Sequence, residues 1–140
     1  MERRNFLTFM GIGTLATASA LPLLSSSMER PESNSRFSSL KTGEIQHMVI
    51  FDLNHEKGSA QAGKFLEDGL QILSKIPVVQ NFQVFSQVSL KNDYTYGFSM
   101  VFAGESDYSA YNNHPEHLAF VEKRWKKEVT RFLEIDFKSH

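Results

Sequence analysis

Ile45-Gln46-His47-Met48-Val49-Ile50-Phe51-Asp52-Leu53 sets the architecture that the rest of the chain completes. It is rich in β-branched residues and carries apolar side chains on both faces, a pattern a strand shows when both faces are covered. Asn54 to Gly58 is polar and turn-like. Ser59 then offers the N-cap of a helix running to about Lys75, with Pro77 ending it. Phe65, Leu66, Leu70, Leu73 and Ile76 recur at helical spacing and mark its buried stripe. A second strand is expected within residues 79–90, with Phe82, Val84, Ser86 and Val88 on one face. Lys91-Asn92-Asp93 turns the chain into a third strand at 94–103, with Tyr96, Phe98, Met100 and Phe102 on one side. Residues 105–112 and 115 to about 129 read as helices. Phe132, Leu133, Ile135 and Phe137 are the apolar members of a closing strand.

The order β-α-β-β-α-β is the split-βαβ, ferredoxin-like α+β arrangement: an antiparallel four-stranded sheet with helices on one face. The other face then needs a cover. Ile45, the odd residues of the first strand, and Tyr96, Phe98, Met100 and Phe102 cannot all face water. Nor can Met48 and Ile50 on the opposite side. No further element of the chain supplies the cover, so a homodimer is expected. Its two sheets would pack face to face as an α/β barrel, the pairing itself creating a hollow.

The 140 residues include no cysteine, which excludes disulfide frameworks, thiolate zinc sites and cysteine nucleophiles. Fifteen basic against sixteen acidic residues give a net charge of −1 and no broad field for phosphates, so no nucleic-acid partner is expected. There is no internal repeat and no glycine-rich phosphate loop in the folded part. The 12 phenylalanines imply a core of large side chains or a cavity lined by them.

The first 24 residues differ from the rest. Arg3-Arg4-Asn5-Phe6-Leu7 precedes an uncharged run of small and apolar residues that is short for a bilayer span, and Ala18-Ser19-Ala20 reads as a cleavage site. The string resembles a twin-arginine export signal, implying a periplasmic destination and no stable membrane insertion once the signal is removed. Residues 25–43, with seven serines, cannot bury enough surface to offset ordering, and read as a disordered polar tether. The folded unit is expected at 44–140.

The residues suited to chemistry cluster late. In Tyr108-Ser109-Ala110-Tyr111-Asn112-Asn113-His114-Pro115-Glu116-His117, Pro115 fits a first helical turn and His114 its cap. His117 stands three and four residues before Phe120 and Val121, and so projects toward the interior. His47 shares strand parity with Val49 and Phe51 and can point the same way. An inward imidazole can exchange a proton near neutrality, and a tyrosine hydroxyl can donate to an oxygen becoming an enolate. The same pair can equally be a satisfied polar contact in a core. His114-x-x-His117 has ligand spacing, but Pro115 turns His114 into a cap and no second ligand pair follows, so no metal is expected; nor is any cofactor. Glu122–Lys126 and Arg124–Glu128 are i,i+4 pairs of a solvated helix face, and Trp125 continues the Leu118–Val121 stripe into the core. Gly69 lies in the first helix's apolar face, where close packing is the simplest use.

His47-Met-Val-Ile-Phe, Lys75-Ile-Pro77, Ile135-Asp136-Phe137 and above all Tyr111-x-x-His114-Pro-x-His117-x-x-Phe120 resemble the stress-responsive α/β-barrel (Dabb) family over residues 46–137. The resemblance implies a ferredoxin-like unit pairing into a dimeric barrel. Some plant members resemble polyketide cyclases, in which the second His of His-Pro-x-His and the preceding Tyr do acid–base work. Those roles would fall on His117 and Tyr111, with His47 lining the pocket. Val49, Phe51, Phe65, Phe98, Met100, Tyr108 and Phe120 complete the expected ligand pocket. Gly69 stands where such cyclases carry a large aromatic, and Asn112-Asn113 replaces a more apolar pair. The favoured expectation is therefore binding of a small apolar or aromatic molecule in an exported barrel. The alternative is a cofactor-independent cyclase or lyase abstracting a proton next to a carbonyl, and an oxygenase-like activity follows by analogy with related barrels.

Overall fold

The computed structural model describes residues 39–140; the expected export signal at 1–24 and most of the expected tether at 25–43 lie outside them. Four strands, β1 (Ile45–Leu53), β2 (Gln80–Ser86), β3 (Tyr96–Phe102) and β4 (Val129–Lys138), form one sheet in the order β2-β3-β1-β4, every pair antiparallel. Among them run α1 (Ala60–Leu73), α2 (Glu105–Asn112) and α3 (Pro115–Phe120). A π-helical turn, Val121–Trp125, and the short α4 (Lys126–Glu128) lead into β4. This is the ferredoxin-like arrangement that the element order implies.

Local chemistry sets the boundaries. The Ser59 hydroxyl accepts from the Ala62 N–H at 3.2 Å and starts α1. His114 caps α3 through Nδ1, which accepts from the Glu116 N–H at 3.2 Å, with Pro115 in the first turn. At Gly58, φ is +77°, a conformation glycine adopts without strain, and its N–H donates to the Tyr96 hydroxyl at 3.1 Å.

The two faces of the sheet divide by parity. Ile45, His47, Val49 and Phe51 stand opposite Phe102, Met100, Phe98 and Tyr96, and all eight are buried. Their cover comes from this chain's own helices, through Ala62, Phe65, Gly69 and Leu73 of α1 with Tyr111 and Phe120. Tyr96, Phe98, Met100 and Phe102 therefore do not belong to the uncovered face, contrary to expectation. That face carries Met48 and Ile50, paired with Ile135 and Leu133 of β4, and Phe137 beside them. Leu133, Ile135 and Phe137 are 47%, 38% and 47% exposed.

Some expected boundaries shift. β2 ends at Ser86, and Val88 and Leu90 project into solvent because the chain leaves the sheet before the turn. The stripe of α1 passes through Ala62 and Gly69, leaving Leu70 on the surface. Leu118 is half-exposed and outside the stripe assigned to it. Among the described residues, no helix is long and apolar enough to cross a membrane.

Candidate functional site

Between the helices and the sheet of this single chain lies a cavity of about 290 Å³. No pairing of sheets is needed to form it, which corrects the expectation that a partner creates the hollow. His47, Val49, Phe98 and Met100 supply its sheet wall, and Tyr111, His117 and Phe120 its helical wall. Phe51 and Phe65 do not border it. Both are completely buried, packed edge-to-face at 5.8 Å in the aromatic core beneath. Tyr108 stands behind the wall, its ring 5.1 Å from that of His47.

His117 is held by the end of the preceding helix. Its Nδ1 lies 3.3 Å from the Asn112 carbonyl at the C-terminus of α2, an acceptor, so Nδ1 carries the proton and Nε2 keeps a lone pair. Burial holds its pKa below the ordinary imidazole value, outweighing that hydrogen bond, and the neutral ring is favoured. The Tyr111 ring packs on it at 4.2 Å between centroids. Burial pushes the Tyr111 hydroxyl well above the usual phenol range, with smaller contributions from Tyr108 and Glu134. Tyr111 thus stays a hydrogen-bond donor at any physiological pH.

His47 is fixed from behind. Its register partner on β4 is Asp136, whose Oδ1 accepts from the His47 Nδ1–H at 2.7 Å. The Tyr108 hydroxyl donates to the same carboxylate, 3.1 Å from Oδ2, and lies 2.9 Å from His47 Nδ1. Burial, then the Asp136 charge, raises the Tyr108 pKa far above its ordinary value. A carboxylate behind an imidazole in this way fixes the proton of the neutral ring on Nδ1, which makes Nε2 that ring's acceptor nitrogen.

Six cavity residues escape the motif-based reading: Leu73, Val121, Trp125, Lys126, Phe132 and Glu134. Trp125 reaches the wall because the π-helical turn inserts a residue before it; it also packs 4.9 Å from Phe51. Glu134 and Phe132 share the parity of Asp136 on β4, and alternation along that strand was the signal that identifies them. Lys126 sits at the rim, exposed and paired with Glu122, while Arg124 bridges Asp68 and Glu128 on the outer surface. At Gly69 an added Cβ would stand 2.6 Å from Phe98 Cζ, so this glycine serves close packing. Among the described residues, no three His, Asp or Glu side chains converge to hold a metal ion.

Together the sheet, its helices and the two imidazoles make a ferredoxin-like α+β unit with a histidine-lined cavity under its helices. The family model of the stress-responsive A/B barrel domain matches residues 45–139, and the chain belongs to that family. A ferredoxin-like Dabb-family protein from Mesorhizobium loti is 46% identical, with 71% of this chain and 99% of that one covered and a TM-score of 0.69. A dimeric ferredoxin-like protein of unknown function from Thermobifida fusca is 18% identical over 73% and 96% of the chains, TM-score 0.60. A hydroxynitrile lyase from Passiflora edulis is 10% identical over 71% and 96%, TM-score 0.62. The last two share the fold. The sequence matches no curated protein.

Proposed function

We propose that this protein binds a small, largely apolar molecule in the cavity between its helices and sheet. The observation that carries the reading is the cavity itself, about 290 Å³ with largely apolar walls, interrupted by two imidazoles, the Tyr111 phenol, Glu134 and, at the rim, Lys126. The protein acts as a homodimer. The apolar row of Met48, Ile50, Leu133, Ile135 and Phe137 supports this, since a monomer leaves it in water, and the Thermobifida fusca relative of the same fold is dimeric.

A second reading uses the same groups for proton transfer, as a cyclase or lyase. The neutral His117 takes a proton next to a carbonyl, while the Tyr111 hydroxyl donates to the oxygen that becomes an enolate. The paired imidazole and phenol on one wall favour it, and a lyase is among the proteins that share the fold. The two readings separate with β-keto thioesters and the His117→Ala variant. Turnover by the wild type that falls at least about 100-fold in the variant establishes the enzyme. A variant altered only in ligand affinity leaves binding as the function.

We propose further that residues 1–24 direct export by a twin-arginine-type route to the periplasm. The Arg3-Arg4-Asn5-Phe6-Leu7 string and the small-residue run after it support the assignment. A double Arg3→Lys, Arg4→Lys variant is expected to stay in the cytoplasmic fraction of cells that export the wild type. An unchanged distribution refutes the route.

A further inference from the structure

The polar groups around the cavity include two imidazoles and a carboxylate that can accept, and this bears on what the cavity takes. His47 Nδ1 is committed to Asp136 at 2.7 Å, and no group among the described residues bonds its Nε2. His117 Nδ1 is committed to the Asn112 carbonyl. As neutral rings, both imidazoles therefore meet a ligand with the Nε2 lone pair. Asp136 spends its oxygens on His47 and Tyr108 and acts through them. Glu134 stands two residues before it on the same face of β4, directly on the cavity wall opposite Val49. Against these stand two neutral donors, the Tyr111 hydroxyl and the Trp125 indole N–H, and one cation, Lys126, which is 61% exposed and paired with Glu122. A carboxylate entering this site would face Glu134 and two lone pairs, with a phenol, an indole N–H and a lysine already paired with Glu122 to satisfy it. A hydroxyl brings the proton that the imidazoles lack, and also an oxygen for Tyr111 to reach.

Resting on the cavity-binding reading above, we infer that the ligand is a molecule recognised through a hydroxyl group that donates to His47 Nε2. Asp136 is the positioning residue for His47, and Glu134 is the specificity residue that turns carboxylates away. The feature that sets this arrangement is the run Phe132, Glu134, Asp136 on one face of β4, with an apolar residue followed by two acids beside the imidazoles.

The test uses two probes of equal ring size, benzyl alcohol and benzoate. They are titrated at pH 8, above the ordinary imidazole range of about 6.5, into full-length protein with labelled histidines. Benzyl alcohol is expected to shift the His47 and His117 ring signals and to bind at least about tenfold tighter than benzoate, a difference of about 1.4 kcal/mol. Glu134→Gln is expected to bring the two affinities within about threefold by improving benzoate. Asp136→Asn is expected to weaken the alcohol and change the nitrogen shifts that report the His47 tautomer, with the His117 shifts retained. Benzoate binding as tightly as the alcohol overturns the inference and leaves cavity binding standing, as does an affinity ratio unchanged in Glu134→Gln. Failure of both probes to move either histidine counts against this inference and against the cavity-binding reading together.

Discussion

Gly69 and Phe98 show how little slack separates helix from sheet. A methyl group at Gly69 would lie 2.6 Å from Phe98 Cζ and 3.5 Å from Phe120. Phe98 has aromatic neighbours at 4.9 Å (Phe51), 5.3 Å (Phe82) and 6.3 Å (Phe65), so its ring can yield mainly toward the cavity it lines. Gly69→Ala is expected to cost about 1–3 kcal/mol in denaturant unfolding and to weaken cavity binding at the same time. His117 carries a second prediction at this scale. Its folded pKa is held below the ordinary imidazole value by burial, so the unfolded chain takes up a proton that the folded cavity refuses. This contribution to stability is complete above about pH 6.5 and declines as pH falls from there toward the folded value. Thermal unfolding across pH 5–8 should show that decline, and His117→Gln should flatten it. His47, Tyr111 and His117 were legible as residues because histidine and tyrosine at helical and strand spacing are conspicuous. Glu134 and Asp136 were not, since an acid on an edge strand looks like a solvent-facing residue until its register partner is known.

The elements show where periodicity suffices and where it fails. β1, α1 and β3 are plain in the sequence because each repeats its apolar residues at its own period, and the capping residues Ser59, His114 and Pro115 do what their chemistry implies. The segment after Phe120 obeys no single period. A uniform α-helix was expected there, whereas Val121–Trp125 forms a π-helical turn that carries Trp125 to the cavity wall and against Phe132 at 5.6 Å. Nothing in five residues of local sequence distinguishes such a turn from an α-helical one, because what holds it is the packing of Trp125 on distant strands. Deleting Lys123, which is exposed, restores an ordinary turn only by rotating Trp125 relative to Val121 by about 100°. The expected result is a red-shifted, quenchable tryptophan emission and loss of cavity binding; an unchanged spectrum would show that the wall does not depend on the inserted residue.

At the scale of the molecule, the sheet is covered once by its own helices and bare on the other side. Two-sided apolar strands made that imbalance readable, but which residues lie bare depends on the strand order β2-β3-β1-β4, which sets Ile135 beside Met48 and Leu133 beside Ile50. Ile135→Lys places a charge in the middle of this row. It is expected to convert a dimer at micromolar concentration into a monomer by sedimentation, with the far-ultraviolet circular dichroism retained; a wild type that sediments as a monomer removes the case for pairing. One strand meanwhile serves two masters. Along β4, Phe132, Glu134 and Asp136 look toward the cavity side while Leu133, Ile135 and Phe137 look out through the bare side, and each outward residue is covalently flanked by inward ones. A shift of this ribbon that tightens one set of contacts must be felt by the other, so filling the chamber and joining two copies become linked equilibria. Under the proposed binding and pairing, reciprocity then requires that a guest in the chamber change subunit association by the same factor by which association changes its own retention.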